Sequence, residues 1–157
     1  MLAQRTKRLT LNPAFFREIK EDHQQLQKLL SELDQLVENR VYLSNHPRSF
    51  VELIDKLVDQ LGLHFTLEEA YGYFEHTVEE MPRFHDQAVR LRDQHSDLYT
   101  AIQKLAEASA DEQLKTEPQM NDLADRFVDF HTALKVHESA EMNLIIEALN
   151  RDVGGGD

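Results

Sequence analysis

The chain has 157 residues, 41% apolar and 29% charged, which suffices for one buried core and leaves no room for a second domain of ordinary size. Seventeen Lys and Arg against 29 Asp and Glu give a net charge of −12, which repels phosphate and disfavours nucleic acid or an anionic membrane surface as a partner. There is no cysteine, so thiol catalysis, disulfides, thiolate metal sites and iron–sulfur clusters are excluded together.

Along the chain, residues 1–11 read as an N-terminal arm with Arg5, Lys7 and Arg8 but no apolar run of signal-peptide length. Asn12-Pro13 reads as an N-cap and a first-turn proline, opening a first helix over 13–40. Tyr42 to Pro47 reads as a turn, with Ser44 or Asn45 available to cap a second helix over 46–79. Glu80-Met81-Pro82 breaks the chain before a third helix over 82–109. The run Ser109-Ala110-Asp111-Glu112 interrupts the pattern, and Thr116-Glu117-Pro118-Gln119 has capping-box spacing at the head of a fourth helix reaching 150. Gly154, Gly155 and Gly156 make 151–157 a flexible tail. Sustained alternation and Asn-Gly or Asp-Gly turns are absent, so no strands are expected. No stretch approaches the ~18 apolar residues of a membrane span, and a soluble cytoplasmic protein is expected.

Apolar residues recur at steps of three and four in every segment. The first seam runs Phe16, Ile19, His23, Leu26, Leu30, Leu33, Val37, and the second Phe50, Ile54, Leu57, Leu61, His64, Glu68, Tyr71. The third runs Phe84, Ala88, Leu91, His95, Leu98, Ile102, Leu105, and the fourth Leu123, Phe127, Phe130, Leu134, His137, Glu141, Leu144, Ala148. Four such stripes joined by short connections predict an all-α, up-down-up-down antiparallel four-helix bundle over residues 12–150.

Each seam is interrupted by one histidine, and two carry a glutamate four residues later, on the same helix face. A polar group buried without a partner costs about 2–7 kcal/mol, so these residues need a reason to be there. His23 lies about 17 residues before the first turn and His64 about 18 after it, while Glu68 and His95 flank Pro82 at 14 and 13 residues. At ~1.5 Å of rise per residue all of them reach one layer of the bundle. Four imidazoles and two carboxylates converging there suit two transition-metal ions: iron, with manganese or zinc possible, bridged by both glutamates and an added oxo or hydroxo group. The other histidines read differently. His76, paired with Glu80, stands off the seam on a solvated face, His46 is a turn residue, and His85 and His131 flank their seams at the surface.

The order His23, His64-Phe65-Thr66-Leu67-Glu68, His95, His137-Glu138-Ser139-Ala140-Glu141 resembles the hemerythrin-like, or HHE cation-binding, family, over essentially residues 12–150. The resemblance implies a four-helix bundle with a non-haem di-iron centre bridged by two carboxylates and an oxo group. The ligands it implies are His23, His64, Glu68, His95, His137 and Glu141. Oxygen-carrying members place a further histidine four residues after the one on the third helix and end on His-x-x-x-x-Asp. This chain has Tyr99 at the first place and His-x-x-x-Glu at the second. Tyr99 is therefore expected in or beside the pocket, as a phenolate ligand or as a hydrogen-bond donor to a bound ligand. Ferritin-like Glu-x-x-His and zinc-protease His-Glu-x-x-His motifs are absent. The leading expectation is a di-iron protein that binds dioxygen or a related ligand for binding, storage or sensing. The alternatives are an enzyme that decomposes peroxide or reduces nitric oxide, an iron sensor or store, and a metal-free structural bundle.

Overall fold

Proline stands first in three of the helices in the computed structural model, where its missing N–H costs nothing and its fixed φ suits the first turn. The structure describes residues 13–70, 82–111 and 115–155. They form α1 (Pro13–Glu38), α2 (Arg40–Asn45), α3 (Pro47–Ala70), α4 (Pro82–Ser109) and α5 (Glu117–Gly155), with no strand among them. The predicted turn before Pro47 contains the short helix α2, capped by Asn39, whose Oδ1 accepts from the Tyr42 N–H at 3.1 Å. His46 ends it, with its ring stacked on Tyr42 at 3.9 Å. At the head of α5 the capping box forms as predicted: Thr116 N–H donates to Gln119 Oε1 (2.8 Å) and Gln119 N–H to Thr116 Oγ1 (3.3 Å). α5 continues through Gly155, into the segment predicted as a tail, because no helix breaker precedes the glycines. The predicted N-terminal arm, together with Tyr71, His76 and Glu80, lies outside the described residues. Among the described residues no helix is long and apolar enough to cross a membrane.

α1 packs on α3, α3 on α4, α4 on α5, and α1 on α5. The predicted seams of α4 and α5 are buried at every position, and that of α3 from Phe50 to His64. One large apolar cluster runs from Leu26, Leu61, Leu98 and Leu134 to the α2 end of the molecule. A second cluster, Phe84, Ala88, Leu91, Leu144 and Ala148, is separate from it. On α4, His95 stands between Leu91 of the small cluster and Leu98 of the large one. On α5, His137 and Glu141 stand between Leu134 and Leu144 in the same way. A polar layer thus divides the core. Arg40 secures the far end, donating to Val37 O, to Asn121 O and to Asp125 Oδ1 (2.9 Å), which ties the α1–α2 corner to α5.

Candidate metal centre

The polar layer brings together groups from α3, α4 and α5. Glu68, His95, His137 and Glu141 each offer one ligand atom, and these four atoms lie within 4.8 Å of one another. Each carboxylate faces two imidazoles. Glu68 Oε1 is 2.7 Å from His64 Nε2 and its Oε2 is 3.0 Å from His95 Nε2. Glu141 Oε1 is 2.9 Å from His137 Nε2 and its Oε2 is 3.4 Å from His95 Nε2. Phe65 backs the layer, its ring stacked on His95 at 4.3 Å and edge-on to His137 at 6.3 Å.

Behind each ring, the other nitrogen is held by an acceptor. His64 Nδ1–H donates to Asp22 Oδ2 (2.7 Å), and Asp22 also accepts from Gln60 Nε2 at Oδ1 (2.7 Å). His95 Nδ1–H donates to Glu69 Oε1 (3.2 Å) and His137 Nδ1–H to Gln94 Oε1 (2.8 Å). These acceptors fix ring orientation and turn all three Nε2 atoms inward, as acceptors behind metal-ligating histidines do. The inward atoms are poorly served by the protein alone. His64 Nε2, His137 Nε2, Glu68 Oε2 and Glu138 Oε1 are buried without a hydrogen-bond partner, because the nearby atoms stand off the hydrogen-bond axes. Orphaned nitrogen and oxygen donors turned toward one another fit borderline divalent or trivalent ions such as iron, manganese or zinc.

Electrostatics point the same way. Burial alone would push the His64 imidazolium down in pKa, but the carboxylates of Asp22, Glu138 and Glu68 outweigh it and lift the ring to about 12. His95 behaves alike: burial opposes its charge, and Glu141, Glu68 and Glu69 raise it to about 10. Burial likewise opposes the Glu68 charge, and His64 and His95 hold that carboxyl well below the usual range. In the metal-free chain, protons on two imidazoles therefore supply the positive charge that the carboxylates demand.

A cleft of about 360 Å³ opens beside the layer, lined by His64, Glu68, Glu138 and Glu141 and, from α1, by Asp22 and His23. Lys20 adds an ammonium from α1, and Ile19, Leu67, Met142 and Ile145 make the rest of its wall apolar. Of the six predicted ligands, five thus meet in the layer, and the sixth, His23, is exposed on the cleft wall. The buried stripe of α1 runs Leu30, Leu26, Asp22, a step of four where the sequence pattern had three, so Asp22 takes the inward place predicted for His23. Tyr99 is half-buried between α3 and α4. A Cβ at Gly62 would stand 3.3 Å from its ring, so the glycine lets that ring lie against the α3 backbone, and Tyr99 does not line the cleft. His85 is exposed as predicted, whereas His131, expected at the surface, is buried and donates from Nδ1 to Asp34 Oδ1 at 2.8 Å. The polar groups that sequence reasoning missed are Asp22, Glu69, Gln94 and Glu138. Only Asp22 carried a signal, standing four residues before seam residue Leu26.

No curated protein and no solved structure matches the chain. A family profile does, over residues 14–149, and that span includes the whole polar layer and its cleft. The chain belongs to the hemerythrin family, as a hemerythrin HHE cation binding domain.

Proposed function

We propose that this chain holds two iron ions in the polar layer and takes up dioxygen or a related diatomic ligand from the adjoining cleft, for binding, storage or sensing. The observation that carries this reading is the set of three imidazoles with Nδ1 tied back and Nε2 converging on two carboxylates that each face two rings. An inner position lies among His95, His137, Glu68 and Glu141. An outer position lies at His64 beside the cleft, where Glu68 reaches both and His23 supplies a fourth imidazole from the wall. An iron pair supplies reversible electron transfer and open coordination positions for a small ligand. The protein's part is to fix the donors, to exclude bulk water through Phe65 and the small apolar cluster, and to admit a small neutral ligand past Ile19, Leu67, Met142 and Ile145. The up-down-up-down course of the four long helices belongs to the same reading, supported by their ring of packed neighbours.

The test is iron content with absorption spectra of the oxidised and reduced protein, followed by exposure of the reduced protein to oxygen. Two irons per chain and a spectral change reversed on removing oxygen are expected. Protein that retains no iron overturns the reading. Steady oxygen evolution from peroxide, or turnover of nitric oxide, without a reversible change transfers the site to the enzymatic alternative. A fold that forms only with iron, with no response to these ligands, transfers it to iron sensing or storage.

A further inference from the structure

Glu138 is one residue from His137, yet it does not share that ring's surroundings. Its Oε1 lies 3.2 Å from His64 Nε2, reaching from α5 to the diagonally placed α3, and both atoms are buried without a hydrogen-bond partner. The Glu138 side chain remains 28% exposed, so water is within its reach by rotation. Its carboxylate nevertheless turns inward, toward a wall that already carries Asp22, Glu68 and Glu141. Four carboxylates beside one cleft outnumber the ammonium of Lys20 on the same wall, and gathering them is costly unless further positive charge sits among them. His64 is 9% exposed, with its Nδ1–H given to Asp22, so its Nε2 faces Glu68 on one side and Glu138 on the other.

From this geometry we infer that Glu138 is a ligand of the outer ion, a carboxylate beyond the two that the family motif supplies. The inference rests on the two-ion reading above. It makes the two positions chemically unequal. The inner ion has His95 and His137 with the carboxylates of Glu141 and Glu68, the latter also facing His64, behind Phe65. The outer ion has His64, Glu68 and Glu138 on the open cleft, and its second imidazole, His23, stands exposed on the cleft wall, so this set is less enclosed than the inner one. The outer ion accordingly loads second and exchanges first.

The test is titration of the metal-free 157-residue chain with cobalt(II), read by equilibrium dialysis and by visible absorption. Wild type is expected to bind two ions in separate steps. Glu138→Gln keeps the shape and removes the charge, and is expected to keep the first step while weakening the second by at least about tenfold. Two unchanged steps in Glu138→Gln overturn the assignment of Glu138 and leave the two-ion reading standing. A wild-type chain that binds no cobalt overturns the two-ion reading itself. If the variant does not fold, a crystal structure of the zinc-loaded wild type decides. A Glu138 oxygen within about 2.0–2.2 Å of the outer zinc is the expected result, and a carboxylate turned away from it refutes the inference.

Discussion

Loading the metal-free protein with zinc should drive protons out of it, and the number follows from the site. His64, lifted to about 12, and His95, lifted to about 10, are both imidazolium at pH 7 before metal arrives. In each ring the Nδ1 proton is held by a carboxylate, Asp22 or Glu69, so the proton that leaves is the one on Nε2. Complete loading at pH 7 therefore releases at least two protons per chain. By linkage, the product of the two binding constants rises about 100-fold per pH unit while both rings are protonated beforehand. That slope should persist from neutrality to about pH 10, and then lessen as His95 loses its proton unaided. Titration calorimetry at pH 7 in two buffers of different ionisation enthalpy counts these protons directly. A count near zero with zinc fully bound would refute the reasoning, because the rings would then have been neutral and the carboxylates would not have been holding them as cations.

Four further outcomes are expected. Asp22→Asn keeps the shape behind His64 but removes the charge that orients it, and should weaken metal binding about 10–100-fold in a chelator competition; unchanged affinity would remove Asp22 from that role. His64→Ala and His137→Ala should each lose metal and unfold at lower temperature, because each removes one of the two imidazoles that face a carboxylate of the layer. His46→Ala, which removes a stack on Tyr42 and the Nδ1 hydrogen bond to Tyr42 O in the α2 corner, should cost no metal, and equal metal retention in all three would sink the ligand assignment. In the metal-free chain the stabilisation from His64 is complete below its ordinary pKa of 6.5 and is lost as pH rises toward about 12. Glu68 contributes above its ordinary 4.5 and loses that contribution on acidification. The melting temperature of metal-free protein should therefore fall between pH 7 and pH 10 while that of the zinc-loaded protein does not. Tyr99→Phe should leave metal content and visible absorption unchanged, since the ring lies against Gly62 and does not line the cleft. A changed spectrum would show that the hydroxyl reaches the metal pocket.

Most of this site could be read before folding because buried polar residues interrupt an otherwise strict apolar period. His95, His137 and Glu141 occupy buried positions that their helices' three-and-four spacing reserves for Leu or Phe, and the pattern locates them without ambiguity. α1 was harder for a physical reason. Near its start either a three-step or a four-step continues the stripe from Leu26, and the competing inward residues, Asp22 and His23, are both polar. What decides between them is the His64 Nδ1–H on another helix, which needs an acceptor. Gln94 and Glu138 are each adjacent in sequence to a predicted ligand, His95 and His137, but they serve rings on other helices. His131 was missed likewise, since its burial depends on Asp34 of α1. Spacing along one helix carries no information about such cross-helix pairings.

The division of the core by the polar layer has a consequence for how the molecule comes apart. Among the described residues, five buried apolar side chains, from Phe84 to Ala148, with partly buried Ala140, hold α4 and α5 together on the far side of the layer from the large cluster. Apolar contact, the usual carrier of cooperativity along a bundle, is interrupted there on both helices. The groups that span the gap are His95, His137, Glu141 and whatever charge they enclose. Without metal, the beginning of α4 and the end of α5 form a unit that opens at a lower free energy than the rest, and the amides there exchange with solvent while those around Leu61 and Leu134 stay protected. Ions bound across the layer tie the small unit to the large one, so occupancy of a site on one side of the bundle is reported as rigidity at its end.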